Sequence, residues 1–546
     1  MKHVHSTVLG VTGLMLAVAC GSNDRSGFDQ NQDPSNPNNG GSSGGGFNGA
    51  SAIGYLLAPK NATAIIDTAT NPATPGAVTF KVIHQTTAGD EDVTAGATFT
   101  LKDGSLGTMS GATFTSIPAL PDGVLGKSTM ISGATKDGQA VGTLTVVQLR
   151  KTGDQRDFFF VVPYQEAPSP ASDTLKFSTN IKQADVAFVM DTTGSMGGSI
   201  DNLKNALNTT LMAQLQAAIP NVGLAVVDHK DFGQFDPWGV LVRQVVTTNL
   251  ASAKAAVSAM SATGGGDEPE AQIGAMHHTL TGAPNSGSPA LGAHTPAAGT
   301  FGGVNFRPGS VPVVVEITDA TWKNPSGSVD MAGLKAAFTT AKAKFVNVTS
   351  YDESQANDLS DATGSHVPPA AFGSIPGCAA GQCCTGVNGA GRGPTGPGGT
   401  CRLNFMHSGG SGVSNGIVNA IKAIAIGTVF DVKAIASNDP KNAKGVDATK
   451  FIKALRAMDE GNASLGCPVA ATSDSDGDGV NDTFLGVTAG TPVCFEVIPA
   501  VNTTVPPEVD PQFYNAFIDV IGVQGNLNLD RRSVLFLVPP KAVVVN

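Results

Sequence analysis

Residues 185–196 read Asp-Val-Ala-Phe-Val-Met-Asp-Thr-Thr-Gly-Ser-Met, "DVAFVMDTTGSM". The segment begins with a continuous apolar run, which is typical of a β-strand that is covered on both faces of a sheet. The run stops at an acid, Asp191, and two hydroxyl residues follow at alternate positions, Thr193 and Ser195. The stretch therefore predicts oxygen ligands at the carboxyl end of a buried strand.

Strand and helix patterns alternate from this point to about residue 427. Further apolar runs at 222–229, "VGLAVVDH", and 311–318, "VPVVVEIT", have the character of buried strands. Apolar residues at helical spacing lie between them, and a last helix is predicted at 411–426. This alternation indicates an α/β domain with a doubly wound, Rossmann-like sheet.

Two further segments carry acids close to predicted strand ends. The segment "GGGDEPEAQ", residues 264–272, contains Asp267 and Glu270 just before a predicted helix, and Asp319 ends "VPVVVEITD". Ligands of open α/β sheets bind at the carboxyl ends of the strands, where the strand order reverses. We therefore expect these acids to converge with the hydroxyl-bearing segment that follows the first strand.

Such a cluster of oxygens favours a divalent cation. Two carboxylates about 4 Å apart repel by roughly 4 kcal/mol at an effective dielectric of 20, and a doubly charged ion reverses that energy. The all-oxygen set favours Mg²⁺ or Ca²⁺, with Mn²⁺ a further alternative, over zinc. The hydroxyls of Thr193 and Ser195 add ligands without charge, so the ion keeps an open position for an acidic group of a partner.

These residues resemble the metal-ion-dependent adhesion site (MIDAS) of von Willebrand factor A (VWFA) domains, with its D-x-S-x-S segment, over residues 185–427. Thr193 stands in place of the first Ser and keeps its hydroxyl. The resemblance implies a metal site, formed with Asp319, that binds a protein ligand through an acidic side chain. It also implies that closure of the ion's ligand shell shifts the last helix.

The segment "GGGDEPE" is similar to the D-x-P-E segment of integrin β-subunit I-like domains. That resemblance implies that Glu270 approaches the main ion and that Asp267 serves it or a neighbouring ion. The acidic pair that follows the Ser in integrin β chains is absent, because Gly197 and Gly198 occupy those positions. An adjacent second site of that type is therefore not expected.

The regions on either side of the α/β domain have β character. Short alternating runs separated by Gly, Asp and Pro predict a β-sandwich at 63–165, which resembles bacterial immunoglobulin-like modules. Residues 166–184 form a connecting strand, and 428–546 a C-terminal β domain. The connecting strand could pair with that last domain, which would make the α/β domain an insertion in a sandwich. The predicted fold class is thus a VWFA domain combined with all-β sandwich domains.

A second candidate for calcium binding lies in the C-terminal domain. The segment "DSDGDGVND" resembles thrombospondin type 3 and EF-hand-like calcium loops, within a loop spanning 474–485, and Gly479 takes the sixth position, where a sharp turn is needed. Leu485 stands at position twelve, so the usual bidentate Glu is missing. The candidate ligands are Asp474, Asp476, Asp478 and Asp482.

The N-terminus resembles a bacterial lipoprotein signal. Residues 1–19 combine a basic residue with a short apolar stretch, and Cys20 follows small residues. Lipidation of Cys20 would anchor the chain to the bacterial cell envelope, at the outer membrane or cell surface; the alternative is ordinary cleavage beside a chance cysteine. Residues 20–62 begin with a Gly/Ser/Asn-rich run, and we interpret them as a flexible tether.

Export makes the other cysteines candidates for disulfides. Four of them cluster in a Gly/Pro-rich insert at 367–403, where a zinc site is the alternative, and the remaining two flank the acidic loop. The candidates are Cys378, Cys383, Cys384 and Cys401 in the insert, and Cys467 and Cys494 beside the loop.

Composition narrows the function classes. The net charge is −11, from 33 basic and 44 acidic residues, and no basic cluster is present, so nucleic-acid binding is not expected.

"GVSNG" around Ser414 has the spacing of a nucleophile elbow, but no convincing strand precedes it. The preferred hypothesis is a non-enzymatic adhesion or protein-binding lipoprotein. The alternatives are a structural cell-envelope module with a purely stabilising metal and, less favoured, a metal-dependent hydrolase.

Overall fold

A computed structural model describes residues 54–68, 70–152, 155–232, 236–266, 268–351, 353–373, 375 and 377–541. The predicted signal, Cys20 and most of the predicted tether lie outside these ranges, as does Asp267. No helix within the described ranges is long and apolar enough to cross a membrane.

The chain begins with an N-terminal β unit of small sheets around one core. One sheet has the order β2-β10-β9-β6, and others have the orders β1-β4-β5 and β3-β8-β7. The strands are Gly54–Ala58 (β1), Asn61–Ile66 (β2), Ala77–Thr79 (β3), Lys81–Thr86 (β4), Gly89–Asp92 (β5), Thr98–Leu101 (β6), Gly107–Ser110 (β7), Thr113–Ser116 (β8), Gly126–Ala134 (β9), Gln139–Gln148 (β10), Lys151–Thr152 (β11) and Gln155–Arg156 (β12).

The N-terminal β unit starts earlier than the sequence predicted. Strand β1 and the first residues of β2 fall inside the predicted tether at 20–62. Leu57 of β1 is buried in the core of the unit, and β1 pairs antiparallel with β4. Strand β1 was not predicted because a strand with so few apolar residues shows no clear alternation within a Gly/Ser/Asn-rich segment.

Two strands, Phe158–Val161 (β13) and Asp173–Phe177 (β14), lead into the α/β domain. The elements of that domain are Gln183–Asp191 (β15), Gly197–Thr209 (α1), Leu211–Ala218 (α2), Asn221–His229 (β16), Val240–Thr247 (β17), Leu250–Ser258 (α3), Gln272–Thr281 (α4), Val311–Thr318 (β18), Met331–Ala341 (α5), Lys344–Thr349 (β19), Ser354–Thr363 (α6), His366–Val367 (β20), Cys401–Arg402 (β21), Asn404–Met406 (β22) and Val413–Gly427 (α7).

The central sheet of the α/β domain has the order β17-β16-β15-β18-β19-β22. Its strands are parallel except β17, which runs antiparallel to β16. Alternate residues of β15 enter two separate cores: Val186 and Phe188 pack with α1, α2 and α7, whereas Ala187 and Val189 pack with α4 and α5. Burial on both faces explains why this strand is apolar without alternation.

The C-terminal unit packs two sheets face to face. Its own strands are Val429–Asn438 (β23), Ile452–Ala457 (β24), Thr472–Ser473 (β25), Thr483–Thr488 (β26), Val493–Pro499 (β27), Gln512–Gly522 (β28) and Leu527–Val538 (β29). One sheet has the order β13-β29-β28-β23-β26-β25 and the other β14-β27-β24. Aromatic side chains pack between them, with ring centroids of Phe484 (β26) and Phe495 (β27) 5.1 Å apart.

Strands β13 and β14 therefore belong to this C-terminal unit. The prediction that 63–165 forms one sandwich was wrong for β13, which pairs in parallel with β29. Phe159 packs against Leu535 and Leu537, whereas Phe158 and Phe160 face the large core, so both faces of β13 are covered. Since β14 pairs with β27 and β23 directly follows α7, the α/β domain is inserted in the C-terminal unit.

Candidate metal centre

The first ligand segment begins at the carboxyl end of β15. Asp191 is fully buried, and its Oδ1 accepts hydrogen bonds from the backbone N–H of Thr193 at 2.9 Å and from the Thr193 hydroxyl at 2.8 Å. Its Oδ2 accepts a hydrogen bond from the hydroxyl of Thr318, the last residue of β18, at 2.8 Å. The carboxylate of Asp191 is thus held by groups from two neighbouring strands.

The third segment reaches the first through one direct contact. The Ser195 hydroxyl donates to Oδ1 of Asp319 at 2.9 Å, which joins residues 124 positions apart. Burial raises the pKa of Asp319, the Ser195 hydrogen bond opposes that rise, and the charge of Asp191 adds to it. Two predicted segments therefore meet where the parallel strands β15 and β18 end.

Glu270 supplies a buried carboxylate without a complete set of partners. Its side chain is buried, and Oε2 has no hydrogen-bond partner among the described residues. Burial, followed by the charge of Asp191, raises the pKa of Glu270 to about 8. Its backbone is fixed by two hydrogen bonds, to the carbonyl of Thr321 at 3.0 Å and from the N–H of Lys323 at 2.8 Å.

The glycine loop, residues 264–266, packs against Thr193 and Glu270. Gly265 has φ +72°, and a Cβ there would lie 2.8 Å from Cβ of Thr193 and 3.1 Å from Oε1 of Glu270. The N–H of Gly194 also donates to the carbonyl of Gly264 at 3.0 Å. Only a residue without a side chain allows this close approach between the segments that carry Thr193 and Glu270.

The donor set fits a hard divalent cation. Hydroxyls separate the acids: Thr193 bonds to Asp191, and Ser195 bonds to Asp319. Within the described residues, no three acidic, His or Cys side chains at this centre bring ligand atoms within 4.8 Å of one another. The site is therefore a mixed set of hydroxyls and carboxylates, and the unpartnered oxygen of Glu270 is the group that most needs a cation.

Sequence reasoning missed contributors to this centre. Thr318 is one, although a hydroxyl residue directly before Asp319 was a readable signal. Glu268 is another: its Oε1 accepts a hydrogen bond from the N–H of Thr321 at 3.0 Å, and its charge helps to raise the pKa of Asp319. The position of Glu268 next to Asp267 was the one sequence feature that indicated its contribution.

Of the two glycines at the start of α1, Gly198 has a packing reason. Gly198, in the first turn of α1, lies against the loop before α7, and a Cβ there would be 2.6 Å from the carbonyl oxygen of Gly409. Gly197 has more room, since its nearest neighbour would be Cβ of Ala262 at 3.8 Å. The close contact at Gly198 leaves no space for an acidic side chain.

The second acidic loop brings together three of its four predicted ligands. Carboxylate oxygens of Asp474, Asp476 and Asp478 lie within 4.8 Å of one another, and all three residues are exposed. The backbone N–H groups of Gly479 and Gly477 donate to Asp474 and lower its pKa.

The fourth predicted ligand, Asp482, is not among these clustered acids. Asp482 lies directly before β26 and forms an ion pair with Lys433 of β23 at 2.9 Å. It also accepts hydrogen bonds from the N–H and hydroxyl of Ser475. Because β26 pairs with β23, the ninth loop position lies beside Lys433.

The described cysteines form three disulfides, Cys378–Cys384, Cys383–Cys401 and Cys467–Cys494. The adjacent Cys383 and Cys384 thus belong to different bridges, which leaves no thiolate in the insert for the zinc alternative. Strands β20 and β21 close the base of the insert. Disulfides of this number are typical of an exported or extracellular protein.

Ser414, which has the spacing of a nucleophile elbow, lies at the start of a helix. Ser414 lies in the first turn of α7, and its N–H donates to Oδ1 of Asn202 at 3.0 Å. Among the described residues, no histidine is hydrogen-bonded to the Ser414 hydroxyl.

Comparison with known proteins found one family match and a structural likeness. Residues 185–289 match the family model described as von Willebrand factor A domain. Among solved structures, the chain is similar to the crystal structure of the SpRpn10 VWA domain, with 10% identity and a TM-score of 0.22, over 33% of this chain and 82% of that one. No curated protein is significantly similar to the chain. The family match and the fold together identify a von Willebrand factor A domain within this chain.

Proposed function

We propose that this chain is a non-enzymatic, exported adhesion or protein-binding protein, lipid-anchored through Cys20, that uses a divalent ion at the candidate metal centre. Asp191, Thr193, Ser195 and Asp319, together with Glu270, would hold Mg²⁺, Ca²⁺ or Mn²⁺. The ion would supply an open coordination position for a carboxylate of a protein partner.

The observation that carries this proposal is the unpartnered Oε2 of Glu270 beside Asp191. A buried carboxylate without a partner is costly, and a neighbouring acid adds to that cost. The place is also the one where ligands bind in open α/β sheets, because the strand order reverses at β15, between β16 and β18.

The test is binding of acidic peptides by the full-length protein. A peptide array with Asp or Glu at each position is probed in Mg²⁺ and in EDTA, beside the same peptides with Asn or Gln. We expect Mg²⁺-dependent retention of acidic peptides by the native chain and no retention by Asp191→Ala. An equal signal in EDTA, or with the amide peptides, would defeat the proposed mechanism.

A second candidate function is a structural module whose ion only stabilises the fold. The repulsion of Asp191 with Glu270 and with Asp319 favours it, because an ion would relieve that repulsion whether or not a partner binds. Thermal melting with and without Mg²⁺, run beside the peptide array, separates the two: stabilisation by Mg²⁺ without any peptide retention supports the structural role.

A further inference from the structure

A buried lysine lies directly behind the candidate metal centre. Lys230 follows the last residue of β16 and is among the most completely buried large side chains in the described chain. Lysine is almost never fully buried unless its ammonium group is paired. Its acceptors here are backbone carbonyls and a hydroxyl, none of which belongs to a predicted metal ligand.

The side chain of Lys230 joins two of the segments that form the centre. Nζ donates to the carbonyl of Thr192, between Asp191 and Thr193, and to the carbonyl of Thr263, directly before the glycine loop. It also lies 3.3 Å from the hydroxyl of Thr263. The N–H of Thr263 itself donates to the carbonyl of Thr192 at 3.1 Å, so the two segments meet at this point.

The backbone of Lys230 reaches a third segment. Its carbonyl accepts a hydrogen bond from the N–H of Ala271, the residue after Glu270, at 2.9 Å. One residue thus contacts the immediate neighbours of Asp191, Thr193 and Glu270. Asp319 joins these segments through its bond with Ser195.

Charge and packing keep the side chain in place. Nζ lies 5.9 Å from the ring centroid of Trp238, within the range of a cation–π contact. Burial lowers the pKa of Lys230, and the nearby carboxylates oppose that shift, with Asp236 as the strongest. The side chain of Asp236 accepts a hydrogen bond from the N–H of Gly265 at 3.3 Å, so the same acid also braces the glycine loop.

We propose that Lys230 is a positioning residue of the metal centre, which ties the segments around Thr192, Thr263 and Ala271 together before an ion binds. The inference rests on the proposed metal-dependent function. Without the ammonium group, the carbonyls of Thr192 and Thr263 lose their shared donor and the two segments separate more readily. The ion must then order them on binding, and its affinity falls.

The test compares two lysines that donate to backbone carbonyls in the full-length chain. Lys230→Met removes the donor at the centre. Lys344→Met is the matched control, because Lys344 lies at the amino end of β19, far from the carboxyl ends of the strands, and likewise donates to a backbone carbonyl, that of Gly364 at 3.0 Å. Hydrogen exchange without metal is measured over 191–198 and 262–272, and Mg²⁺ affinity by calorimetry.

We expect Lys230→Met to exchange faster in both segments and to bind Mg²⁺ at least tenfold more weakly, while Lys344→Met leaves both measurements at the native level. Native exchange in both segments would overturn the proposal. Unchanged Mg²⁺ affinity would also overturn the proposal. Tighter Mg²⁺ binding would overturn it too, because it would show that the ammonium group acts mainly by repelling the ion. Should Lys230→Met not fold, Lys230→Leu, which also removes the donor, is judged by the same criteria.

A different result would refute the proposed function. If the native chain itself binds no Mg²⁺, the proposal of a metal-dependent function is wrong. The exchange comparison then still decides, independently of any ion, whether Lys230 holds the segments together.

Discussion

At the scale of the residue, Asp191 is the group on which the candidate centre depends most. It is fully buried, and its two oxygens receive hydrogen bonds from both Thr193 and Thr318. We expect Asp191→Ala to weaken Mg²⁺ binding by about 100-fold or more, since it removes a ligand and the acceptor of two neighbouring hydroxyls. Calorimetry measures the change. Asp201→Ala, at an exposed position on α1, is the control and should bind as the native chain does.

Glu270 gives the centre a dependence on pH. Its pKa is raised to about 8, so below that pH the folded, metal-free chain holds a proton that a metal ion must displace. Mg²⁺ affinity should therefore rise between pH 6 and pH 8 by roughly 50-fold, as the ionised fraction grows from about 1% to about 50%. Glu270→Gln should bind more weakly and lose this rise. A native profile that is flat over this range would contradict the assignment of Glu270.

The same pKa shift bears on stability without metal. Because the pKa of Glu270 is higher in the folded chain than in the unfolded one, its contribution is fully present below about pH 4.5 and is lost as pH rises through about 8. Removal of metal should therefore cost more stability at pH 8 than at pH 5, and Glu270→Gln should reduce that difference.

Individual ligands could be predicted from sequence where a strand end positions them. Asp191 and Asp319 end neighbouring parallel strands, so their hydroxyl partners meet at one edge of the sheet. Lys230 could not be predicted, because its acceptors lie 33 and 38 residues away in loops without regular structure. The ion pair of Asp482 with Lys433 could not be predicted either, since a local loop pattern does not reveal a contact with another strand.

At the scale of the element, the contact between α1 and the loop before α7 depends on Gly198. A Cβ there would meet the carbonyl oxygen of Gly409 at 2.6 Å. Gly198→Ala should lower the free energy of unfolding by roughly 1–3 kcal/mol, because backbone has to move. Gly197→Ala, one position earlier with open space, should be neutral or slightly stabilising. Urea unfolding measures both, and equal effects would contradict the packing reason for this glycine.

The acidic loop before β26 makes a separate prediction, on the proposal that it binds Ca²⁺. Asp474→Asn should weaken Ca²⁺ binding, because it removes a member of the clustered triad. Asp482→Asn should leave it unchanged and instead lower stability, since it breaks the ion pair with Lys433. Calcium titration of the two variants checks this. If Asp482→Asn loses as much Ca²⁺ affinity as Asp474→Asn, Asp482 is a calcium ligand at the ninth loop position, as the sequence pattern predicts.

Elements with local signals were predictable, and those whose identity depends on distant partners were not. Strand β15 has the continuous apolar pattern of a strand buried on both faces. Strand β13 has it too, but its partner β29 lies more than 370 residues later, and nothing local assigns it to that sheet. Strand β1 was taken for tether, because five residues are too few for periodicity to be visible.

At the scale of the whole molecule, the α/β domain is held at both ends by the C-terminal unit. Strand β14, paired with β27, leads into β15, and α7 continues directly into β23. The same helix packs on α1 and α2, and the loop before it contacts Gly198 beside the candidate centre. Any displacement of α7 would therefore act on the C-terminal unit as well as on the metal centre.

The central claim is that oxygens from separate strand ends converge on one ion. Crystals of the full-length chain grown or soaked with Mn²⁺, examined by anomalous diffraction, test it most directly. The account predicts an anomalous peak within coordination distance of the Ser195 hydroxyl, between Asp191, Asp319 and Glu270. An ordered centre with no peak there, at a Mn²⁺ concentration that saturates the acidic loop, would contradict it.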